Sequence, residues 1–294
     1  MLVTMKSILD KAYEGKYCVA APNFMDERQI RLIVEAAEEM HSPVIIDAVL
    51  NEFMKVEDFR EWIWLAADLA KRASVPVAIN LDHGSKYEYI MQALNTELTS
   101  IMIDRSSLPL EQNIAEVKEL TKAAHALGKS VEAELGHVGN NVGLGIQESN
   151  NNKTILTEED KRETFTKVDE AVRFVKETGV DCLAVAVGTV HGLYPKGFKP
   201  SIDFELLEQI RDAVNIPLVL HGGSGSGEEN LAKAAKLGVC KLNVASDLIR
   251  AAREALGDYY KNNVTEGNPI NAYYNGYKEM LKHYMSFLGS ENKA

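Results

Sequence analysis

Three of the seven histidines in this 294-residue chain, His83, His191 and His221, stand directly before a glycine. Each also follows or closes a short apolar run, giving PVAINLDHG, CLAVAVGTVHG and PLVLHGG. Imidazole binds metal ions and carries protons near neutrality, and a glycine behind it lets the backbone turn and a ligand approach closely. Taken singly, such a pair is more often a loop-end histidine bonded to a carbonyl. Three pairs converging on one rim describe a catalytic zinc centre, with a fourth position left for water or substrate. Carboxylates keep them company: Asp82 beside His83, Asp104 closing SIMID, and Glu134 in SVEAEL ahead of Gly136-His137. Asp82 suits either an acid that orients a ligating imidazole or a general acid/base, and spacing does not separate the two.

A second constellation is the pair HGGSGSGEENL and NVASD, which together hold Gly222, Gly223, Ser224, Asn243, Val244, Ala245 and Ser246. Backbone N–H groups and a helix N-terminus at such a corner make a phosphate site, and Ser224, Ser226 and Ser246 add hydroxyls. A Gly-rich loop is usually only a turn. Beside a candidate metal ligand it gains weight.

Positioning these groups requires eight short β-rich runs: YCVAAP (17–22), PVIIDA (43–48), PVAIN (76–80), SIMID (100–104), SVEAEL (130–135), CLAVAVG (182–188), PLVLHGG (217–223) and VCKLNV (239–244). Segments of helical period separate them, as in DERQIRLIVEAAEEM, where Ile30, Ile33, Ala37 and Met40 share a stripe. Runs apolar at successive positions suit strands covered on both faces. Eight such alternations predict an α/β chain folded as a (β/α)8 TIM barrel with extra C-terminal helices, its active face at the carboxyl ends of the strands. An open doubly wound sheet is the rival, but PNFMDE follows the first run where a Gly-rich dinucleotide turn would stand. Residues 1–294 read as one domain. The segment 139–160, GNNVGLGIQESNNNKTILTEED, is rich in Gly and Asn and reads as a mobile active-site loop. After Arg250 the tail, with YYNGYKEMLKHYMSFL, reads as helices for packing or oligomer contact.

The net charge of −11 argues against a nucleic-acid or anionic-membrane binder, and no apolar run approaches a bilayer span. The N-terminal stretch lacks a long apolar core, so a secretory leader is not expected. Cys18, Cys182 and Cys240 lie far apart in apolar stretches and read as core residues of a cytoplasmic protein.

In this order the motifs LDHG, MIDRSSLPLEQNI, VEAELGHVG, AVAVGTVHGLY, PLVLHGGSG, KLNVAS and FLGS closely resemble the class II, metal-dependent ketose-bisphosphate aldolases of fructose- and tagatose-bisphosphate type. The resemblance runs nearly end to end. It implies a homodimeric or homotetrameric barrel that cleaves a ketose phosphate to dihydroxyacetone phosphate and an aldehyde such as glyceraldehyde 3-phosphate. Carried over, His83, His191 and His221 become zinc ligands, and Asp82 the proton-transferring acid. Asp104 and Glu134 match carboxylates that hold a second or displaced metal. Gly192, Gly222 to Ser224 and Asn243 to Ser246 match the sugar-phosphate contacts, with the Asn23–Phe24 step after the first strand counted among them. Relatives also place a monovalent cation near the phosphate.

Three departures stand out. Asn80 replaces a common His, DAVLNEF lacks the small polar contacts that usually end the second strand, and NNVGLGIQES replaces a Gly and an acidic pair. Glu148 is then a displaced candidate for exchanging the C3 proton. Within the same chemistry, Lys241 offers a Schiff-base alternative, although a strand-end or snorkelling side chain is its plainer reading. A barrel metallohydrolase would want His-x-His on its first strand, which is absent. From another class, a degenerate sugar-phosphate binding protein would bind without turnover.

Overall fold

A computed structural model of the chain describes every residue except 53, 137, 139–161, 163, 191–200 and 262–267. The expected mobile loop at 139–160, with Glu148, therefore lies outside the described residues, as do His191 and Gly192. Eight strands are described: β1 (Val19–Pro22), β2 (Val44–Val49), β3 (Val77–Gly84), β4 (Ser100–Ile103), β5 (Ser130–Leu135), β6 (Cys182–Val185), β7 (Leu218–Leu220) and β8 (Val239–Val244). All their pairings are parallel, in the order β1-β8-β7-β6-β5-β4-β3-β2, and the remaining gap carries an Asn23–Asp47 bridge between the first and second strands' ends. The result is a nearly closed (β/α)8 barrel, as the alternation of runs predicts.

Ten helices accompany the strands among the described residues: α1 (Met5–Gly15), α2 (Glu27–Glu39), α3 (Val56–Arg72), α4 (Tyr87–Leu94), α5 (Leu110–Ala126), α6 (Val168–Thr178), α7 (Phe204–Val214), α8 (Glu228–Lys236), α9 (Ser246–Lys261) and α10 (Pro269–Phe287). In α2 the Asp26 carboxylate caps the helix by accepting from the Gln29 N–H. Ile30, Ile33 and Ala37 are then fully buried on the stripe their spacing defines, while Met40 falls at the C-cap and is only partly covered. Burying each isoleucine is worth about 1.5–3 kcal/mol. The helix α1 was not marked by the strand–helix alternation. Its Met5, Ile8, Leu9 and Ala12 pack on Val19, Ile45, Ala78, Cys182 and Cys240 near the strand starts, so α1 closes the amino end of the barrel. The three cysteines are buried and unbridged. No described helix is long and apolar enough to cross a membrane.

Inside the barrel, side chains alternate at period two, and the middle is polar. Asp47, Asn80, Glu132 and Lys241 are all fully buried there. Two residues further along three of these strands come Asp82, Glu134 and Asn243, at the carboxyl rim. Two bulges break the alternation. On β3, Leu81 pairs with Ile101 but Gly84 with Ile103, so one residue is extra. On β8, Val239 pairs with Leu218 and Lys241 with Val219, again one too many. A bulge re-aims the side chains beside it, and both bulges bear on the site.

Candidate active site

Strict alternation would turn His83 away from Asp82. The β3 bulge, together with a left-handed backbone at His83 (φ +49°), brings both side chains to the rim. Left-handed φ is uncommon for a residue with a Cβ and gathers at functional sites. His83 Nδ1 lies 2.9 Å from Asp104 Oδ2, and Asp104 Oδ1 accepts from the Ser106 hydroxyl and N–H. Across the barrel, His221 Nε2 lies 2.9 Å from Glu132 Oε1. The two remaining ring nitrogens, His83 Nε2 and His221 Nδ1, face each other at 3.1 Å.

These contacts test whether the residues suit a metal. A carboxylate only accepts, so in the neutral rings Asp104 claims the N–H of His83 at Nδ1 and Glu132 that of His221 at Nε2. Both facing nitrogens then carry lone pairs, which repel unless a cation or proton lies between them. Nearby, Glu134 is 2% exposed, and its Oε2 has no hydrogen-bond partner. Potential ligand atoms of Asp82, His83 and His221 lie within 4.8 Å of one another, as do those of His83, Asp104 and Glu134. The donor set fits a divalent ion, with the second group offering a displaced position. His191 itself is outside the described residues. Its neighbour Val190, however, packs so closely on Gly222 that a Cβ there would come within 2.5 Å of the Val190 backbone. The Thr189 hydroxyl also donates to His221 O at 2.6 Å. The loop leading to His191 is thus fastened to His221.

Charge follows from these neighbours. Burial pushes the Asp82 carboxyl up, but His83, Lys241, His221 and the Asn23 amide outweigh it and bring it down to about 2. Burial pulls the His83 imidazolium down, but Asp82, Asp104 and Glu134 reverse this and raise it to about 10 in the metal-free protein. Asp104 is held well below the usual carboxylate range, because its bonds to His83 and Ser106 overcome burial. Glu134 is raised, chiefly by burial.

Asp82 is held on both oxygens. Asn243 Nδ2 donates to Oδ1 at 2.9 Å and Asn23 Nδ2 to Oδ2 at 2.8 Å. Of the Asn23–Phe24 step, then, Asn23 is the residue in the site; Phe24 instead packs edge-on to Trp62 at 5.4 Å. A cleft of about 100 Å³ is lined by Asn23, Asp82, His83, Gly222, Gly223, Ser224, Asn243, Ala245 and Ser246. Val244 is buried beneath this rim and does not line the cleft. Ser224 Oγ accepts from the Asp247 N–H at 3.4 Å, and Asp247 Oδ2 accepts from Gly225 N–H at 3.1 Å, joining the glycine loop to the start of α9. Gly222 has φ +66°, which favours glycine.

Several participants escaped sequence reading. Glu132 shares the inward face of SVEAEL with Glu134, and period two marks both equally; only the fold shows that Glu132 meets His221. The tail contributes too. Tyr277 Oη donates to Asn23 O at 2.6 Å, and Tyr284 Oη to Asp247 Oδ2 at 2.6 Å, so α10 braces both sides of the cleft rather than merely covering the barrel. Asn80 Nδ2 donates to Asp47 Oδ1 at 2.8 Å, in the layer beneath Asp82. The plainer reading of Lys241 as a snorkelling side chain is overturned. Alternation from Val239 would place it outside, but the β8 bulge turns it inward, where it is fully buried against Glu132 at 2.8 Å and Asp47 at 3.2 Å. Burial alone would discharge it; the two acids prevail and hold it as ammonium. Without a lone pair it cannot attack a carbonyl, which counts against a Schiff base.

A family model described as fructose-bisphosphate aldolase class-II matches residues 3–293. Among solved structures, the YdjI aldolase from Escherichia coli K12 is similar at 32% identity with a TM-score of 0.83, covering all of both chains. The fructose-bisphosphate aldolase (Fba) from Campylobacter jejuni has a TM-score of 0.80 over 100% of this chain and 97% of that one; at 22% identity it supports the fold alone.

Proposed function

Since the chain belongs to the class II fructose-bisphosphate aldolase family, we propose that it is a zinc-dependent aldolase that reversibly cleaves a ketose phosphate, such as fructose or tagatose 1,6-bisphosphate, to dihydroxyacetone phosphate and an aldehyde. The observation that carries this reading is the pair of imidazoles whose ring nitrogens face each other at 3.1 Å beside an ionised acid, next to a glycine-lined cleft. His83 Nε2 and His221 Nδ1 would hold the ion, with His191 as the third ligand carried over from the family, and Asp104 and Glu134 would serve the displaced position. Zinc, when bound, supplies a Lewis acid that stabilises negative charge developing on the substrate's carbonyl side.

The chain's own groups do the rest. Backbone N–H groups of the glycine loop and the α9 N-terminus would hold the phosphate, with Ser224 and Ser246 at the same corner and Gly192 a further contact by family likeness. This fixes the three-carbon fragment relative to the imidazoles. As the C3–C4 bond breaks, Asp82 takes the C4 hydroxyl proton and returns it in condensation. Its low pKa keeps it ionised at neutral pH. Asn23 and Asn243 each occupy one site on its oxygens and leave further lone pairs for the hydroxyl. Glu148 remains the family-based candidate for C3 proton exchange.

The test is a coupled assay for triose phosphate release across mono- and bisphosphorylated ketoses, before and after dialysis against a strong chelator. Cleavage of at least one ketose phosphate, lost on chelation and restored by zinc or cobalt, is expected. Activity indifferent to the chelator would refute the metal dependence. Tight binding of a dihydroxyacetone phosphate analogue with no turnover of any sugar would refute the aldolase reading.

A further inference from the structure

The Lys241 ammonium has three N–H donors, and three acceptors surround it: Glu132 Oε2 at 2.8 Å and Asp47 Oδ2 at 3.2 Å, both on fully buried acids, and Asn243 Oδ1 at 2.7 Å on a partly buried amide. We infer that Lys241 is a positioning residue for Asp82, acting through the amide of Asn243. The inference rests on the aldolase reading for what Asp82 does, but not for how it is held.

The reasoning concerns amide orientation. Asn243 offers an oxygen and an NH2 group of nearly the same shape, and nothing steric chooses between its two orientations. Lys241 chooses. With Oδ1 on the ammonium, Nδ2 must face Asp82 Oδ1, where it lies at 2.9 Å. Turned over, the NH2 would meet an ammonium and the oxygen a carboxylate. Both contacts would be repulsive in a site of low dielectric. Asp82 therefore keeps a donor on Oδ1 to match the Asn23 donor on Oδ2.

Lys241 is itself held in place: Asp47 Oδ2 and Glu132 Oε2 have no other hydrogen-bond partner, so displacing the ammonium would strand two buried carboxyl oxygens. The same Glu132 carboxylate meets His221 through its other oxygen. One buried cation thus stands behind the proton carrier and behind a metal-facing imidazole. Neutralising Asp47 and Glu132 would not by itself require the third contact, to Asn243; that contact is what marks a positioning role.

The experiment compares Lys241→Met, which keeps bulk and removes the donors, with wild type as zinc-loaded full-length protein. Two rates are read: cleavage of a ketose phosphate, and exchange of the C3 hydrogen of dihydroxyacetone phosphate with deuterated water. Exchange involves no C4 hydroxyl and does not call on Asp82. Cleavage kcat should fall by roughly 100-fold, the scale of a displaced general base, while exchange, which feels the change only through Glu132 and His221, should fall much less. Equal losses in both rates, or no loss in either, would overturn the inference. If Lys241→Met does not fold, Asp47→Asn is added to remove one of the two stranded acids. On that background Lys241→Gln, which retains an N–H donor, should cleave faster than Lys241→Met; equal rates would count against positioning. A metal-free crystal structure supplies a readout independent of turnover. In the methionine variant the Asn243 amide should lose its anchor and shift, carrying Asp82 with it; an unmoved Asn243 and Asp82 would refute the claim. A wild-type chain that cleaves no sugar would sink the aldolase reading while leaving this crystallographic result to decide positioning.

Discussion

Replacing Glu132 by glutamine changes one atom and should damage the metal site more than its size suggests. Glu132 is fully buried between His221 Nε2 (2.9 Å) and the Lys241 ammonium (2.8 Å), and both neighbours need an acceptor. An amide has only one acceptor atom. If the glutamine oxygen faces His221, its NH2 meets the ammonium, donor against donor. If it is flipped, the NH2 demands a lone pair on His221 Nε2, and the ring proton must move to Nδ1, the atom that faces His83 at 3.1 Å. The first outcome leaves a buried charge half compensated, at a cost of about 3–5 kcal/mol. For a chain of this length that is a melting-temperature drop of about 5–8 °C. The second protonates the nitrogen proposed to bind zinc, and loss of such an orienting partner typically weakens metal affinity by roughly 10–100-fold. Thermal melts of metal-free protein and competition against a zinc chelator at fixed pH measure the two effects. Glu132→Gln protein with wild-type melting and zinc affinity within about twofold, well short of that range, would refute both the tautomer assignment and the role given to Glu132.

Three further outcomes are expected. Asp82→Ala should lose cleavage by roughly 10²–10⁴-fold yet retain zinc by elemental analysis; appreciable activity in this variant would remove the acid's role. Because His83 in the metal-free protein titrates only near pH 10, zinc must displace a proton below that value. Apparent affinity should therefore rise about tenfold per pH unit between about pH 7 and 8.5, and a pH-independent affinity in chelator competition would contradict the assignment. Gly222→Ala adds a Cβ 2.5 Å from the Val190 backbone at a left-handed position. It should cost about 1–3 kcal/mol in denaturant titration and raise KM for the phosphorylated substrate, whereas wild-type values would loosen the link between the two loops.

Much of this protein is written locally in its sequence. A continuous apolar run such as CLAVAV cannot sit at a surface, so it specifies a strand covered on both faces, and the 3.6-residue stripe of Ile30, Ile33 and Ala37 specifies a covering helix. Parallel strands with intervening helices leave few topologies, and the barrel follows. Polar residues at apolar strand ends mark the rim, which is why His83, His221, Asp82 and Asn243 could be nominated without coordinates. What the sequence left open depends on register and on residues far apart along the chain. Period two predicts that Lys241 faces out and that His83 turns from Asp82; the bulges reverse both, and a bulge is set by pairing with another strand. Glu132 and Glu134 look alike in SVEAEL, yet one meets an imidazole and an ammonium while the other keeps an oxygen without a partner. Tyr277 reads as packing until the fold lays α10 across the end of β1. Strand and helix are decided by neighbours within a few residues, where sequence is explicit. The tautomers, charges and amide orientations of the site are decided by contacts across the barrel, which exist only once the chain has closed on itself.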